Sequence, residues 1–439
     1  MAPMNVATLL AGLVALGGAS AFAAVAPAGT RVQPQMGLKS FVSQRFPVPS
    51  RKQQVARNAV AVPVAEEVVT KDPNAPFDYG AEPPFSLADI RKAIPNHCFE
   101  KDTWRSMRYM FKDVAIVAGL AATAIKLNNP LVWPLYWLAQ GTMFWALFVV
   151  GHDCGHGSFS NNKRLNDFIG HMTHASILVP FHGWRISHRT HHSNHGHIDN
   201  DESWVAMTRS QMKDLDLPAK IARFNPIGML LAYPAYLWKR TPGKAGSHFD
   251  PESSLFVPNE KKDVQTSTAW YFAMLAILTV GAKFGLAFLA KTYIVPYWIN
   301  VAWLDVVTYL HHTEAEVPWY RGSAWNYMRG ALSTRDRDYG MFNNIHHDIG
   351  THVVHHLFPQ ASRFNFYLHA RMPHYHIGEA TEAIKPVLGE YYKEPEKSGI
   401  LPLHLVGEFL KSTRECIFVE DEGDVVYYNG DKSVFNNSK

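Results

Sequence analysis

The chain has 439 residues, with 42 Lys and Arg against 38 Asp and Glu and a net charge of only +4. Its basic residues are scattered, so nothing in it suits nucleic acid. Three cysteines, Cys98, Cys154 and Cys416, lie far apart and are odd in number, which excludes a disulfide framework and fits a reducing compartment. No Gly-x-Gly-x-x-Gly fingerprint stands beside an apolar block, and neither a phosphate-binding loop nor a zinc-protease His-Glu-x-x-His pattern occurs.

Residues 1–65 contain no Asp or Glu but carry Arg31, Lys39, Arg45, Arg51, Lys52 and Arg57. An acid-free basic stretch is the composition of an organelle transit peptide. Ahead of it, the apolar run 6–26 ends in small residues, like a signal peptide. Together they resemble the two-part presequence of plastids bounded by extra membranes, although no Lys or Arg precedes Val6. The alternative for 6–26 is a membrane span. Residues 66–110 read as a polar, amphipathic N-terminal region, and 111–439 as the main domain.

A helical span needs about 20 apolar residues. Candidates fall at 111–125 and 131–150, joined by Asn128-Asn-Pro130, and at 269–290 and 293–310, joined by Lys291-Thr292. The predicted class is an all-α membrane protein: four transmembrane helices in two hairpins, with a histidine-rich catalytic cap on one face. Stretches 169–184 and 226–238 are short and interrupted by His or Pro, so they read as interfacial or re-entrant. Arg91, Lys92, Lys101, Arg105, Arg108 and Lys112 precede the first span, while only Lys126 sits at its turn. The positive-inside rule puts these residues on the cytoplasmic or stromal side.

Three histidine blocks dominate the chain: His152 and His156; His188, His191 and His192; His352, His355 and His356. Residues three and four apart share a helix face, so each block can aim its rings at one point. A zinc ion takes about four protein ligands, so eight imidazoles suit two ions. Imidazole serves zinc, copper, iron and nickel alike, and the ligands alone leave the metal open. Even numbers of crossings separate the blocks, which lets all three meet on one side of the membrane. A metal transporter would instead place ligands near the bilayer midplane.

Gly151-His-Asp-Cys-Gly-His-Gly-Ser-Phe-Ser160, His188-Arg-Thr-His-His192 and His352-Val-Val-His-His-Leu-Phe-Pro-Gln360 resemble the three boxes of membrane fatty acid desaturases. Trp133-Pro-Leu-Tyr-Trp137, Val179-Pro-Phe-His-Gly-Trp-Arg-Ile-Ser187, Asn194-His-Gly-His197 and Phe342-Asn-Asn-Ile-His-His-Asp-Ile-Gly-Thr351 are similar to the plastid-type omega-3 (delta-15) branch. The resemblance implies two Fe ions held by the eight box histidines, with O2 as co-substrate. It also implies a ninth ligand, His312, with His311 in reserve. Asp153, Asp305, His347 and Asp348 are the expected outer partners of the ligands, with His346, Asp199 and Asp201 as further candidates. Cys154 reads as a packing residue rather than a ligand.

The implied substrate is a glycerolipid acyl chain already bearing an omega-6 double bond, met in the lipid bilayer. Ferredoxin would supply electrons in a plastid membrane; the runner-up location is the endoplasmic reticulum membrane. An omega-6 desaturase or acyl hydroxylase shares the same boxes. One departure from the branch is the insertion Ala361–Met372, which contains His369, not read as a ligand.

Overall fold

The computed structural model describes residues 77–216, 220, 225–241, 244–359 and 371–435. The leader at 1–65 lies outside the described residues, as does the insertion apart from Arg371 and Met372. From Tyr79 onward the described chain forms one unit.

That unit is built from helices. In chain order they include α1 (Leu87–Ala93), α2 (Thr103–Leu127), α3 (Val132–His156), α4 (Lys163–Ser176), α5 (Phe181–Asn194), α6 (Lys261–Gly281), α7 (Val295–His312), α8 (His352–Leu357), α9 (His374–Leu388) and α10 (His404–Glu415). The all-α expectation needs one amendment. Trp319–Tyr320 (β1) pairs antiparallel with Val425–Val426 (β2), Trp319 opposite Val426.

α3 is the central element, packed by α2, α4 and α7. Every residue from Gln140 to Cys154 is buried. Gly141 permits the close approach of α7, because a Cβ there would stand 2.8 Å from the carbonyl oxygen of Pro296 and drive into Ile299. Trp145, Phe148, Trp184, Val301, Leu304 and Leu310 form the apolar core above the histidine blocks.

The first hairpin turns where expected. Asn128 ends α2 in the left-handed region (φ 40), a conformation Asn tolerates, and its N–H donates to Ala124 O. Asn129 Oδ1 then accepts from Leu131 N at 2.8 Å. Both helices are longer than the apolar runs that announced them, since polar side chains extend α2 at its start and α3 at its end.

The second hairpin does not turn at Lys291-Thr292. The chain breaks at Gly285, whose φ of +109 favours glycine. Lys291 and Thr292 instead lie in a π-helical turn, Ala290–Ile294, that runs on into α7. An apolar run ends at a lysine, but a helix ends where the backbone leaves helical dihedrals.

Stretches 169–184 and 226–238 form no continuous helix. α4 gives way to α5 through Leu178, itself left-handed (φ 59), and 226–238 divides into Pro226–Met229 and a helix beginning at Tyr233. Among the described residues, one helical run, Pro258–Phe284, is long and apolar enough by itself to cross a membrane.

Candidate metal centre

Each histidine block sits where a helix delivers it to the same place. His152 and His156 occupy the last turn of α3, before it stops at Gly157. His188, His191 and His192 lie on the final two turns of α5. α8 consists of the third block itself, and so short a helix needs outside support. Asp336 provides it: Oδ1 accepts from the backbone N of His352 (2.6 Å) and Val353 (2.8 Å), while Oδ2 accepts from the Tyr392 hydroxyl at 2.8 Å. His312 is the last residue of α7.

The rings gather in two adjoining nests. In the first, the ligand nitrogens of His152, His156, His188, His192 and His355 all lie within 4.8 Å of one another. Their Nε2 atoms form a chain: His156 to His152 at 3.1 Å, His152 to His355 at 3.2 Å, His355 to His192 at 3.1 Å and His192 to His188 at 3.0 Å. In the second nest, His312 joins His352 and His356 on one side and His191 and His195 on the other. The nests touch where the rings of His192 and His356 stand 4.0 Å apart.

Burial pushes His156, His188, His192, His312, His352, His355 and His356 well below the ordinary imidazole pKa, and the neighbouring rings reinforce the shift. These rings are neutral, each with one N–H and one lone pair. His156 donates through Nδ1 to Pro359 O at 3.1 Å, so its Nε2 is a lone pair. Each remaining N–H along the Nε2 chain serves one neighbour only. No more than two of the four contacts can then be hydrogen bonds. Buried nitrogens without a hydrogen-bond partner include Nδ1 of His192, His312 and His352, Nε2 of His191, and both nitrogens of His356. The Nε2 lone pairs that face one another without a hydrogen between them are costly unless something electron-poor lies among them; the Nδ1 atoms of His192, His312 and His352 are on the far side of those rings. An all-imidazole donor set of this kind fits a borderline transition-metal cation.

Of the expected carboxylates, Asp153 and the further candidate Asp201 stand at the nests. Asp201 is fully buried and bridges two rings, accepting from His191 Nδ1 (2.8 Å) and His195 Nδ1 (3.0 Å). Burial alone would raise its pKa, but the two imidazoles overcome that and hold it below the usual carboxylate range. Asp153 stands 3.5 Å from His152 Nδ1 and accepts from His374 Nδ1 at 2.9 Å, and it is depressed for the same reason. His347, in a left-handed turn (φ 53), packs against the His374 ring and pairs with buried Asp113 at 2.6 Å.

Asp305 does not serve the cluster. Its carboxylate accepts from Tyr233 N at 3.2 Å, because its face of α7 meets that helix start rather than the blocks. Asp348 also departs from expectation: it shares the left-handed turn (φ 54), its N–H donates to Asn343 O, and no box imidazole pairs with it among the described residues. Asp199 is exposed. His346 packs between Trp145 and Trp303.

His311, the reserve ligand, is committed elsewhere, with Nδ1 on Arg335 O at 2.6 Å and Nε2 on the Tyr339 hydroxyl at 3.1 Å. Cys154 packs with Val150, Phe159 and Phe181. Sequence reasoning missed His195 as a member of the cluster, although it follows His191 by one helical turn. It also missed His374, Asp113 and Asp336, whose roles depend on tertiary proximity.

Comparison with known proteins places this geometry. Residues 129–396 match the fatty acid desaturase family model, and residues 39–122 match a model described only as a domain of unknown function. An omega-3 fatty acid desaturase, chloroplastic, of Brassica napus is 60% identical over 86% of this chain and 90% of its own length. An sn-2 acyl-lipid omega-3 desaturase (ferredoxin), chloroplastic, of Arabidopsis thaliana is 58% identical over 87% and 84%. An omega-3 fatty acid desaturase of the endoplasmic reticulum from Vigna radiata var. radiata is 56% identical over 82% and 93%. With two histidine nests at the ends of its central helices and the family match spanning all three boxes, the chain belongs to the fatty acid desaturases.

Proposed function

We propose that this protein is an acyl-lipid omega-3 desaturase of the chloroplast. It removes two hydrogens from a saturated carbon pair in an omega-6 unsaturated C18 or C16 acyl chain and leaves a cis double bond three carbons from the methyl end. Dioxygen and two protons are consumed with two electrons from ferredoxin, giving water. The observation that carries this reading is the pair of adjoining nests, ten imidazoles with buried nitrogens left unpartnered.

One ion would be held by His152, His156, His188, His192 and His355, and the other by His191, His312, His352 and His356. Zinc has no redox chemistry, and no side chain deprotonates an unactivated methylene, so iron is the fitting metal; bound here, it supplies the activation of dioxygen. The chain's own residues orient and seal the site. Asp201 fixes the proton of His191 on Nδ1 and leaves Nε2 free as a donor atom. The indole of Trp184 stacks on His188, centroids 4.5 Å apart, and Trp204 lies beside His312. These rings pack against the nests.

Four spans anchor the enzyme. α2 and α3, at 25 residues each, are about 37 Å long, enough to cross a hydrocarbon core. Large apolar side chains face outward along them, including Phe111, Leu131, Leu135 and Leu138, and Phe272, Ile277 and Phe284 do so on the second hairpin. Lipid contact accounts for such a belt. Residues 1–65 act as the plastid leader in this reading.

The test is to express the full chain in a host whose lipids contain linoleate and analyse its fatty acids by gas chromatography. Trienoic acids with a new omega-3 bond are expected. Iron-loaded protein that yields none, or yields hydroxylated chains, overturns the assignment.

A further inference from the structure

A second group of metal-type ligands lies apart from the nests. The 3-10 turn Asn96–Phe99 brings His97 and Cys98 against the first turns of α9, where His376 and Glu379 stand. One ligand atom from each of the four lies within 4.8 Å of all the others. His97 Nε2 is 2.9 Å from the Glu379 carboxylate and 3.8 Å from Cys98 Sγ; His376 Nδ1 is 3.9 Å from Glu379 Oε2. We propose that Cys98, His97, His376 and Glu379 form a structural zinc site that staples the N-terminal segment to α9.

The dimensions agree with tetrahedral zinc. Bonds of about 2.0–2.3 Å place tetrahedral ligand atoms about 3.3–3.8 Å apart. Three of the separations, 2.9, 3.8 and 3.9 Å, bracket that range and the others lie within 4.8 Å, so shifts of no more than about 1 Å suffice. The donor set is a zinc set: one thiol, two imidazoles and one carboxylate. The nests offer imidazole alone, and sulfur distinguishes this group from them.

The setting is that of a site with a path to solvent. The side chains of His97 and Glu379 are 53% and 50% exposed, while Cys98 is fully buried behind them. A surface ion pair of His97 with Glu379 would need neither the thiol nor His376. The nearby cations Arg91 and Arg105 are stacked over Phe99 and Tyr375. Burial, with Glu379 beside it, pushes the Cys98 thiol up to about 11, so it is protonated until a cation displaces the proton.

Stapling would also bear on the metal centre. The turn that carries His376 carries His374, whose Nδ1 holds Asp153 beside His152. Fixing one fixes the other.

The experiment uses the full-length, iron-loaded protein in detergent, incubated with zinc, freed of excess, and assayed for zinc and iron by mass spectrometry. About one zinc per chain is expected beyond the iron. Cys98→Ser and His376→Asn are each expected to lose it while retaining iron. No bound zinc in the wild type, or zinc retained in both variants, overturns the proposal. Should the variants fail to fold, cobalt added to the wild type decides. Tetrahedral ligand-field bands with a thiolate charge-transfer band support the site, because the other cysteines, Cys154 and Cys416, are buried away from this cluster. A cobalt spectrum without the thiolate band overturns it.

Discussion

Replacing Asp201 tests whether a single buried carboxylate organises the second nest. Its Oδ1 accepts from His191 Nδ1 (2.8 Å), Ser203 N (3.1 Å) and Trp204 N (3.3 Å), and its Oδ2 accepts from His195 Nδ1 (3.0 Å). Asp201→Ala strands all four donors in a site that water does not reach. His191 then loses the partner that keeps its proton on Nδ1, so half of its tautomers present N–H where a lone pair is needed. Loss of such an outer partner costs about 10- to 100-fold in metal affinity or activity, or about 1.4–2.8 kcal/mol. Asp201→Asn is milder for a structural reason. The amide oxygen can keep the three Oδ1 contacts, and its NH2 faces His195, which can shift its proton to Nε2 against Ser333 O, 3.3 Å away. The Asn variant loses charge but no geometry, and about tenfold is expected at most. Triene yield in a linoleate-producing host, normalised to protein, together with iron per chain, reads both effects. Wild-type iron and product in Asp201→Ala would refute the argument. So would an Asn variant as damaged as the Ala variant, because the amide's retained contacts would then count for nothing.

Other consequences follow from the same geometry. His312→Ala is expected to remove about half of the bound iron and abolish desaturation, whereas His311→Gln, with both ring nitrogens committed to Arg335 and Tyr339, should keep its iron; equal iron loss in both would contradict the assignment. Asp336→Ala uncaps α8 and should lower stability by about 1–2 kcal/mol, seen as a lower thermal midpoint; an unchanged midpoint would show that α8 does not depend on its cap. The metal-free protein should lose stability as pH falls below the ordinary imidazole value of 6.5, because His156, His192 and His355 are held below that value and the unfolded chain takes up protons that the folded chain refuses. Each such group contributes a slope of up to about 1.4 kcal/mol per pH unit. The depressed carboxylates Asp153 and Asp201 add a loss only further down, below about pH 4, as pH drops toward their folded values. A thermal midpoint that stays flat between about pH 7.5 and about pH 5.5 would exclude neutral, buried rings.

What the sequence displayed was the periodic part. The H-x-x-H-H spacing reads directly as one helix face, and both α5 and α8 bear it out as helices. His312 was reachable because it ends an apolar run. His195 carried a signal too, one turn beyond His191, but it stood in Asn194-His-Gly-His197, which was read only as a mark of the branch. The acids were harder. Asp201 doubles back ten residues to reach His191, and Asp113 meets His347 across 234 residues; neither separation is encoded in periodicity. Asp305 had the right spacing to His312 and the wrong neighbour, since seven residues place two side chains on one face without saying what packs there. Gly285 was passed over for Lys291-Thr292 because hydropathy sees composition and not backbone dihedrals.

The disposition of the acids has its own logic. A cation held by neutral imidazoles keeps its full charge, and that charge, buried, requires an anion near it. Each nest has one. Asp153 lies behind His152 in the first, and Asp201 lies behind His191 in the second. Both stay ionised despite complete burial because imidazole N–H groups point at them. Asp348 shows the contrast: burial raises its pKa, so it is poorly suited to be a standing counter-charge. Placing the carboxylates one bond behind the ligands leaves the nests themselves uncharged. Metals bound there would supply the positive field, while the acids decide which ring nitrogen each histidine presents.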